Sequence, residues 1–379
     1  MKRWHVITLL VLGLGVGAGI AAVRGRGVPP AQAAKRYVCA PCGASCDTKV
    51  FDSPGTCPVC GMKLVEQGAP KAEPPAKKVA ILVFDGVEII DFTGPYEVFG
   101  AAGFDVYTVS EKKQPIVTAM GLTVTAKYAL SDAPEPDVVV VPGGDVHLAR
   151  ESATTLKWIK DESARAPRTM SVCNGAFILA SAGMLDGLTV TTTAGQIDRL
   201  AAAFPKTKVV RDRRFVDNGK IVTTAGLSSG IDGALHVVDA MLGHGAAQRV
   251  ALGIEYDWRP DAGYARAALA DRFIPDVDLD SLGHFDVAST QGGTDRWEMT
   301  VAGTSERTAA QIAERFEQAF VAAKWTKAAG GSAPTASAAA SSWTFQPDGG
   351  APWKGSLAIG AVAGQSRAYS VSVRIARLD

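Results

Sequence analysis

Through the middle of the chain the apolar residues come in short unbroken runs instead of one-sided helical stripes. Val79-Ala-Ile-Leu-Val-Phe84 and Val138-Val-Val-Val141 carry no polar residue, the pattern of parallel strands covered on both faces. Phe104-Asp-Val-Tyr-Thr-Val-Ser110, Thr169-Met-Ser-Val-Cys173 and residues 188–193 read as further strands. Helical patterns stand between them, over about 93–102, 156–164 and 231–242, with another opening at Gly175. Met120-Gly121 and Asp217-Asn-Gly219 mark two hairpin turns. Strands alternating with helices predict an α/β sandwich with a mostly parallel sheet over residues 79–258.

After residue 260 the pattern changes. Residues 297–302 read as a strand, and 305–323 as a helix with Ile312, Phe316 and Phe320 on one face. Residues 328–342, rich in Gly, Ala and Ser, read as a loose loop. Tyr369, Val371, Val373 and Ile375 alternate with polar residues, so the chain ends in a half-buried antiparallel strand paired with 357–362. Residues 259–379 are thus expected to form a small α+β domain of unknown function. Its tryptophans, Trp297, Trp325, Trp343 and Trp353, read as core more readily than as a binding face.

The length of 379 residues predicts two or three units. With 39 basic and 38 acidic residues there is no electrostatic footprint for nucleic acid. Residues 1–35 form a signal or membrane anchor in this reading, because Lys2-Arg3 precede an 18-residue apolar run over 6–23. An uncleaved anchor with the body on the extracytoplasmic, periplasmic side is expected; secretion after cleavage near Ala33 is the alternative.

Five of the six cysteines lie in residues 36–66: Cys39, Cys42, Cys46, Cys57 and Cys60. Two Cys-x-x-Cys pairs can each close a knuckle and present four thiolates to a tetrahedral ion, and so short a segment needs such a staple. Zinc in a structural role is expected, with Cu(I) also suited to an all-thiolate set. Disulfide pairing is the competing reading and leaves one of the five over. Residues 67–78 read as a stiff, solvated linker.

The chemistry of the α/β region centres on Cys173, placed where a buried strand turns sharply into a helix through Asn174 and Gly175. Backbone N–H groups and the positive end of the helix dipole are expected to lower the thiol to about 3.5–7.5 and make it nucleophilic. Gly143 and Gly144, with Asn174, can offer N–H groups to a developing negative charge. Asp91 can reach the thiol as a proton-handling partner, or else cap the helix that follows it.

Residues 54–64, Pro-Gly-Thr-Cys-Pro-Val-Cys-Gly-Met-Lys-Leu, resemble the short heavy-metal-binding domain of metal-transporting ATPases and efflux proteins. Asp91-Phe-Thr-Gly-Pro95, Val141-Pro-Gly-Gly144, Ser171-Val-Cys-Asn-Gly175, Ala182-Gly-Met-Leu-Asp-Gly187 and Gly230-Ile-Asp-Gly-Ala234 resemble the ThiJ/PfpI superfamily. The likeness is to its isocyanide hydratase branch and to the sensor domains of AraC-type regulators. It implies a flavodoxin-like three-layer sandwich without a cofactor, commonly a homodimer, taking a small electrophile or ligand. Cys173 is implied as nucleophile and Asp91 as the acid bonded to it, in a cysteine-dependent hydratase or hydrolase. A ligand or redox sensor and an envelope metal-handling protein are the alternatives. The sequence departs from the hydratases at Asn174, usually Thr, and at Thr193-Ala194, where His-Trp is common. His147, His236 and His244 occupy no motif position, so a Cys-Asp pair is expected and a Cys-His-acid triad is not.

Overall fold

The computed structural model describes residues 35–39, 45–46, 48–59, 61–67, 76–330 and 333–378. They fall into two compact units, Met1–Pro74 and Pro75–Asp379.

In the larger unit a seven-stranded sheet runs in the order Phe215–Asp217, Ile221–Thr224, Arg168–Ser171, Val138–Val141, Lys78–Leu82, Asp105–Ser110, Tyr128–Ala129. All neighbours are parallel except the edge hairpin turned at Asn218-Gly219. The unbroken apolar runs are explained by burial on both faces. Val79, Ile81, Val138 and Val140 pack into one core with the helices Ile89–Ala101 and Ser229–Leu242, and Ala80, Leu82, Val139 and Val141 into a second with Ala153–Arg165 and Gly175–Ser181. This is the expected flavodoxin-like three-layer sandwich, and it brings the turns after Val141, Ser171 and Thr224 to one end of the sheet. The first helix starts four residues before the expected boundary, which places Asp91 in its first turn with Glu88 at the cap. The helix-cap alternative for Asp91 is thereby removed.

A second, six-stranded antiparallel sheet follows, ordered His284–Gly292, Arg296–Thr304, Ala368–Arg377, Trp353–Ala361, Ala338–Phe345, Thr326–Lys327. The helix Ala309–Ala322, opened by a Thr308/Gln311 capping box, lays Ile312, Phe316 and Phe320 on it. Trp325, Trp343 and Trp353 are buried in that core, as expected. The loop expected over 328–342 is corrected, because Ala338–Phe345 is a strand whose alternate residues Ala339, Ser341 and Trp343 face inward. Its small side chains hide the period of two that a strand of larger residues would display.

The smaller unit contains a three-stranded antiparallel sheet, Val50–Phe51, Tyr37–Val38, Val65–Glu66. Segment 6–23 and most of the linker lie outside the described residues. Among the described residues no helix is long and apolar enough to cross a membrane. The longest have 14 residues, about 21 Å of rise against roughly 30 Å of hydrocarbon.

Candidate active site and cysteine cluster

Cys173 sits at φ 56, left-handed backbone that a side chain adopts only when its surroundings hold it there. Its N–H donates to Ala225 O at 3.2 Å, and Val172 N–H donates to Val141 O at 3.0 Å, so both adjoining loops grip the turn. Two glycines allow the approach. A Cβ on Gly175 would lie 2.0 Å from Val141 O, and one on Gly143 would lie 2.8 Å from Cys173 Cβ and 2.9 Å from Asp91 Oδ2.

Asp91 is fully buried and bonded through both oxygens: Oδ2 accepts the Gly143 N–H and Oδ1 the Leu227 N–H, each at 3.1 Å. Its side chain also hydrogen-bonds Cys173. Burial pushes its carboxyl up to about 7, held back in part by those N–H groups and the thiol. Burial also pushes the Cys173 thiol up to about 12; the Asp91 charge adds to this, while the Asn174 N–H and a bond to the Thr193 side chain oppose it. The expected lowering of the thiol is therefore corrected. The following helix is only 7 residues long, and its dipole does not outweigh desolvation beside a carboxylate.

The structure thus brings Cys173, Asp91, Gly143 and Asn174 together. Gly143 differs from expectation in one respect: its N–H is engaged by Asp91. Gly144, at φ 108, forms a bridge with Val87 closed by Glu88 N–H to Gly143 O at 3.0 Å and Asp145 N–H to Gly86 O at 2.9 Å. That bridge uses neither of Gly144's own backbone groups, and Gly144 O accepts the Asn174 Nδ2 at 3.0 Å. His147 is an exposed loop residue near Glu151, at 3.6 Å, and also borders a pocket beside Gly144 and Asn174. His236 and His244 pair with Asp217 and Asp239 on the surface.

Sequence reading missed Thr193, Gly226 and Leu227. A Cβ on Gly226 would meet Thr193 Oγ1 at 2.5 Å and Cys173 Sγ at 3.4 Å, and Leu227, at φ 58, turns its N–H inward to Asp91. The available signal was positional: Ala225-Gly-Leu227 follows a strand at the end of the sheet where Cys173 lies, and Thr191-Thr-Thr193 follows the strand Thr189–Val190 of a separate two-stranded sheet.

In the smaller unit Cys39, Cys46 and Cys57 are buried with their Sγ atoms all within 4.8 Å of one another. Gly61, at φ 75, closes the knuckle by donating to Cys57 O at 2.9 Å, and Cys57 N–H donates to Met62 O at 2.7 Å. Leu64, Tyr37, Phe51 and Met62 pack around the sulfurs. Three converging soft donors in a small apolar shell fit a metal such as Zn²⁺, whose Zn–S distance of about 2.3 Å sets ligand sulfurs about 3.8 Å apart. Cys42 and Cys60 lie outside the described residues.

Residues 77–240 match the DJ-1/PfpI family and residues 36–67 the heavy metal binding domain. The chain is 35% identical over 186 residues to an isonitrile hydratase of Pseudomonas putida, covering 48% of this chain and 79% of that protein. It is 24% identical to the HTH-type transcriptional regulator CdhR of Pseudomonas aeruginosa over 41% of this chain and 48% of the regulator. A crystal structure of a ThiJ/PfpI family protein from Pseudomonas syringae matches at 29% identity and a TM-score of 0.46, over 52% of this chain and 84% of that one. The matched relatives are described as an enzyme and a regulator, and no described helix spans a bilayer. The expected membrane-anchored or secreted placement is accordingly dropped. A heavy-metal-binding module thus precedes the α/β domain, and by its sequence the chain belongs to the DJ-1/PfpI family.

Proposed function

We propose that this protein is a cysteine-dependent enzyme that adds water to a small electrophile, with an isocyanide-type hydration as its reaction class. The observation that carries the reading is the strained Cys173 turn hydrogen-bonded to a buried carboxyl that titrates near 7. A base is most effective when its pKa lies near the working pH. Asp91 fits that role better than a preformed thiolate would.

In the proposed sequence the Asp91 carboxylate accepts the Sγ proton as sulfur bonds to the terminal carbon, and passes that proton to the same carbon. The product is a thioimidate, with C–S and C–H bonds formed. Water then adds to that carbon and a proton goes to nitrogen. The C–S bond breaks, the remaining hydroxyl proton returns to sulfur, and an N-substituted formamide leaves with the thiol restored. The N–H groups of Asn174 and Gly144 support negative charge during the sequence. Thr193, bonded to the sulfur, orients it.

A redox-sensor role is less favoured, because easily oxidised cysteines are those with depressed pKa values, whereas Cys173 is raised. The cysteine cluster is proposed to hold structural zinc, with thiolates of Cys39, Cys46 and Cys57 among its ligands. A homodimer belongs to the same proposal.

The test is turnover of an aryl isocyanide by the purified full chain beside Cys173→Ala and Asp91→Asn. Formamide production lost in the first variant and reduced about a hundredfold or more in the second supports the reading. No turnover in the parent overturns the hydratase assignment.

A further inference from the structure

A pocket of about 150 Å³ adjoins the Cys173 turn, lined among others by Gly144, Asp145, His147, Arg150, Asn174 and Arg199. That is space for roughly five waters at about 30 Å³ each, and so for one small polar group. Its charge balance is uneven. Among the described residues neither Arg150 nor Arg199 has an ion-pair partner, although Asp198 and Glu151 stand next to them in sequence, because those carboxylates pair with Arg211 and His147. The one carboxylate in the lining, Asp145, accepts the His147 N–H at 3.2 Å and so belongs to its own turn. Two uncommitted guanidiniums therefore border a cavity that Asn174, the residue after the thiol, also lines.

Asn174 adds a second, independent requirement. Its Nδ2 is fixed on Gly144 O at 3.0 Å, and its Oδ1 is buried without a hydrogen-bond partner. A buried acceptor left unpaired is unfavourable, so a ligand N–H there is gained at full value.

We infer that this pocket selects substrates that carry a carboxylate, which Arg150 and Arg199 hold while the electrophilic carbon lies at Cys173. The inference rests on the proposed function and names its substrate class: small carboxylate-bearing isocyanides, whose hydrated products are N-formyl amino acids. Such a molecule matches both features. Its carboxylate meets the guanidiniums, and the N–H that forms as water adds is available to Asn174 Oδ1, an interaction absent from the starting isocyanide. The bidentate geometry of guanidinium suits a carboxylate.

The experiment compares two pairs of probes on the full chain and on Arg150→Met and Arg199→Met. The first pair is iodoacetate and iodoacetamide, and the readout is the ratio of their alkylation rates at Cys173 by mass spectrometry. The second pair is isocyanoacetate and its methyl ester, compared by kcat/KM. A charge about 4 Å away in watery surroundings is worth about fivefold, so each substitution should lower both acid-to-neutral ratios by about fivefold. Lys157→Met, which removes a remote charge paired with Asp161, should leave the ratios where they are. Ratios unmoved by either arginine substitution overturn the carboxylate pocket even if both isocyanides are hydrated. A fall in the alkylation ratio with no turnover of either isocyanide supports the pocket and removes the hydratase reading instead.

Discussion

Among the described residues buried cysteine sulfur stands in two places, and the two are opposites. At Cys39, Cys46 and Cys57 the sulfurs face one another, all within 4.8 Å. At Cys173 a single sulfur faces a carboxyl group. Burial alone disfavours a thiolate in both places. In the cluster a bound metal cation would reverse that penalty and deprotonate the thiols. At Cys173 the proposed sequence instead gives the proton that leaves sulfur to the neighbouring Asp91 carboxylate. The lesson is that a buried thiol takes its chemistry from what it faces, and that Cys-x-x-Cys spacing and an elbow turn specify that partner in different ways.

The contrast can be broken from the metal side with the largest effect. If the cluster holds the proposed structural zinc, removing it by a strong chelator or by Cys57→Ser should unfold residues 36–67, since structural zinc supplies about 10–16 kcal/mol of apparent binding energy to small domains. Loss of metal by elemental analysis, with loss of the near-ultraviolet signal of Tyr37, is the expected result. A module that stays folded and protease-resistant without metal would contradict it.

Next in size is the nucleophile. Cys173→Ala should lower turnover by at least about a thousandfold, measured as formamide formed per enzyme. Gly226→Ala should cost about a hundredfold, because the new Cβ must displace Thr193 from beside the sulfur, and small misplacements of groups around the reacting atoms carry penalties of that order. Stability in the parent should also respond to pH through Asp91. The unfolded carboxyl titrates near 3.8 and the folded one near 7, so between those values the native state binds more protons. The Asp91 contribution to stability is therefore greatest below about 4, falls as pH rises to about 7, and is level beyond. The full change is about 4 kcal/mol, of which about 3 kcal/mol falls between pH 5 and pH 8, where urea denaturation reads it.

Much of this was legible from residue order. Apolar runs too short for helices and free of polar residues mark strands buried on both faces, and the Cys-x-x-Cys spacing marks a knuckle whatever surrounds it. Asp91 and Cys173 could be paired because both stand where a strand gives way to a helix. What could not be read was anything set by contacts across long separations. The direction of the Cys173 shift depends on how completely the neighbouring loops exclude water. Leu227 reaches Asp91 across 136 positions, and its sequence carries no mark of an inward N–H. Thr193 stands where related sequences carry a histidine, and its bond to the sulfur emerges only once Gly226 is seen to leave room for it. Ala338–Phe345 was hidden for a simpler reason, since alanine and serine serve a buried face and an exposed one equally well.

The most direct test of the Cys173–Asp91 pair is the pH profile of Cys173 alkylation by iodoacetamide. A pair sharing one proton reacts in proportion to its singly protonated form. The parent rate should therefore rise with an apparent pKa near 7 and then level, and Asp91→Asn should abolish that rise. A parent profile with no inflection below pH 9, or one unchanged in Asp91→Asn, would contradict the account.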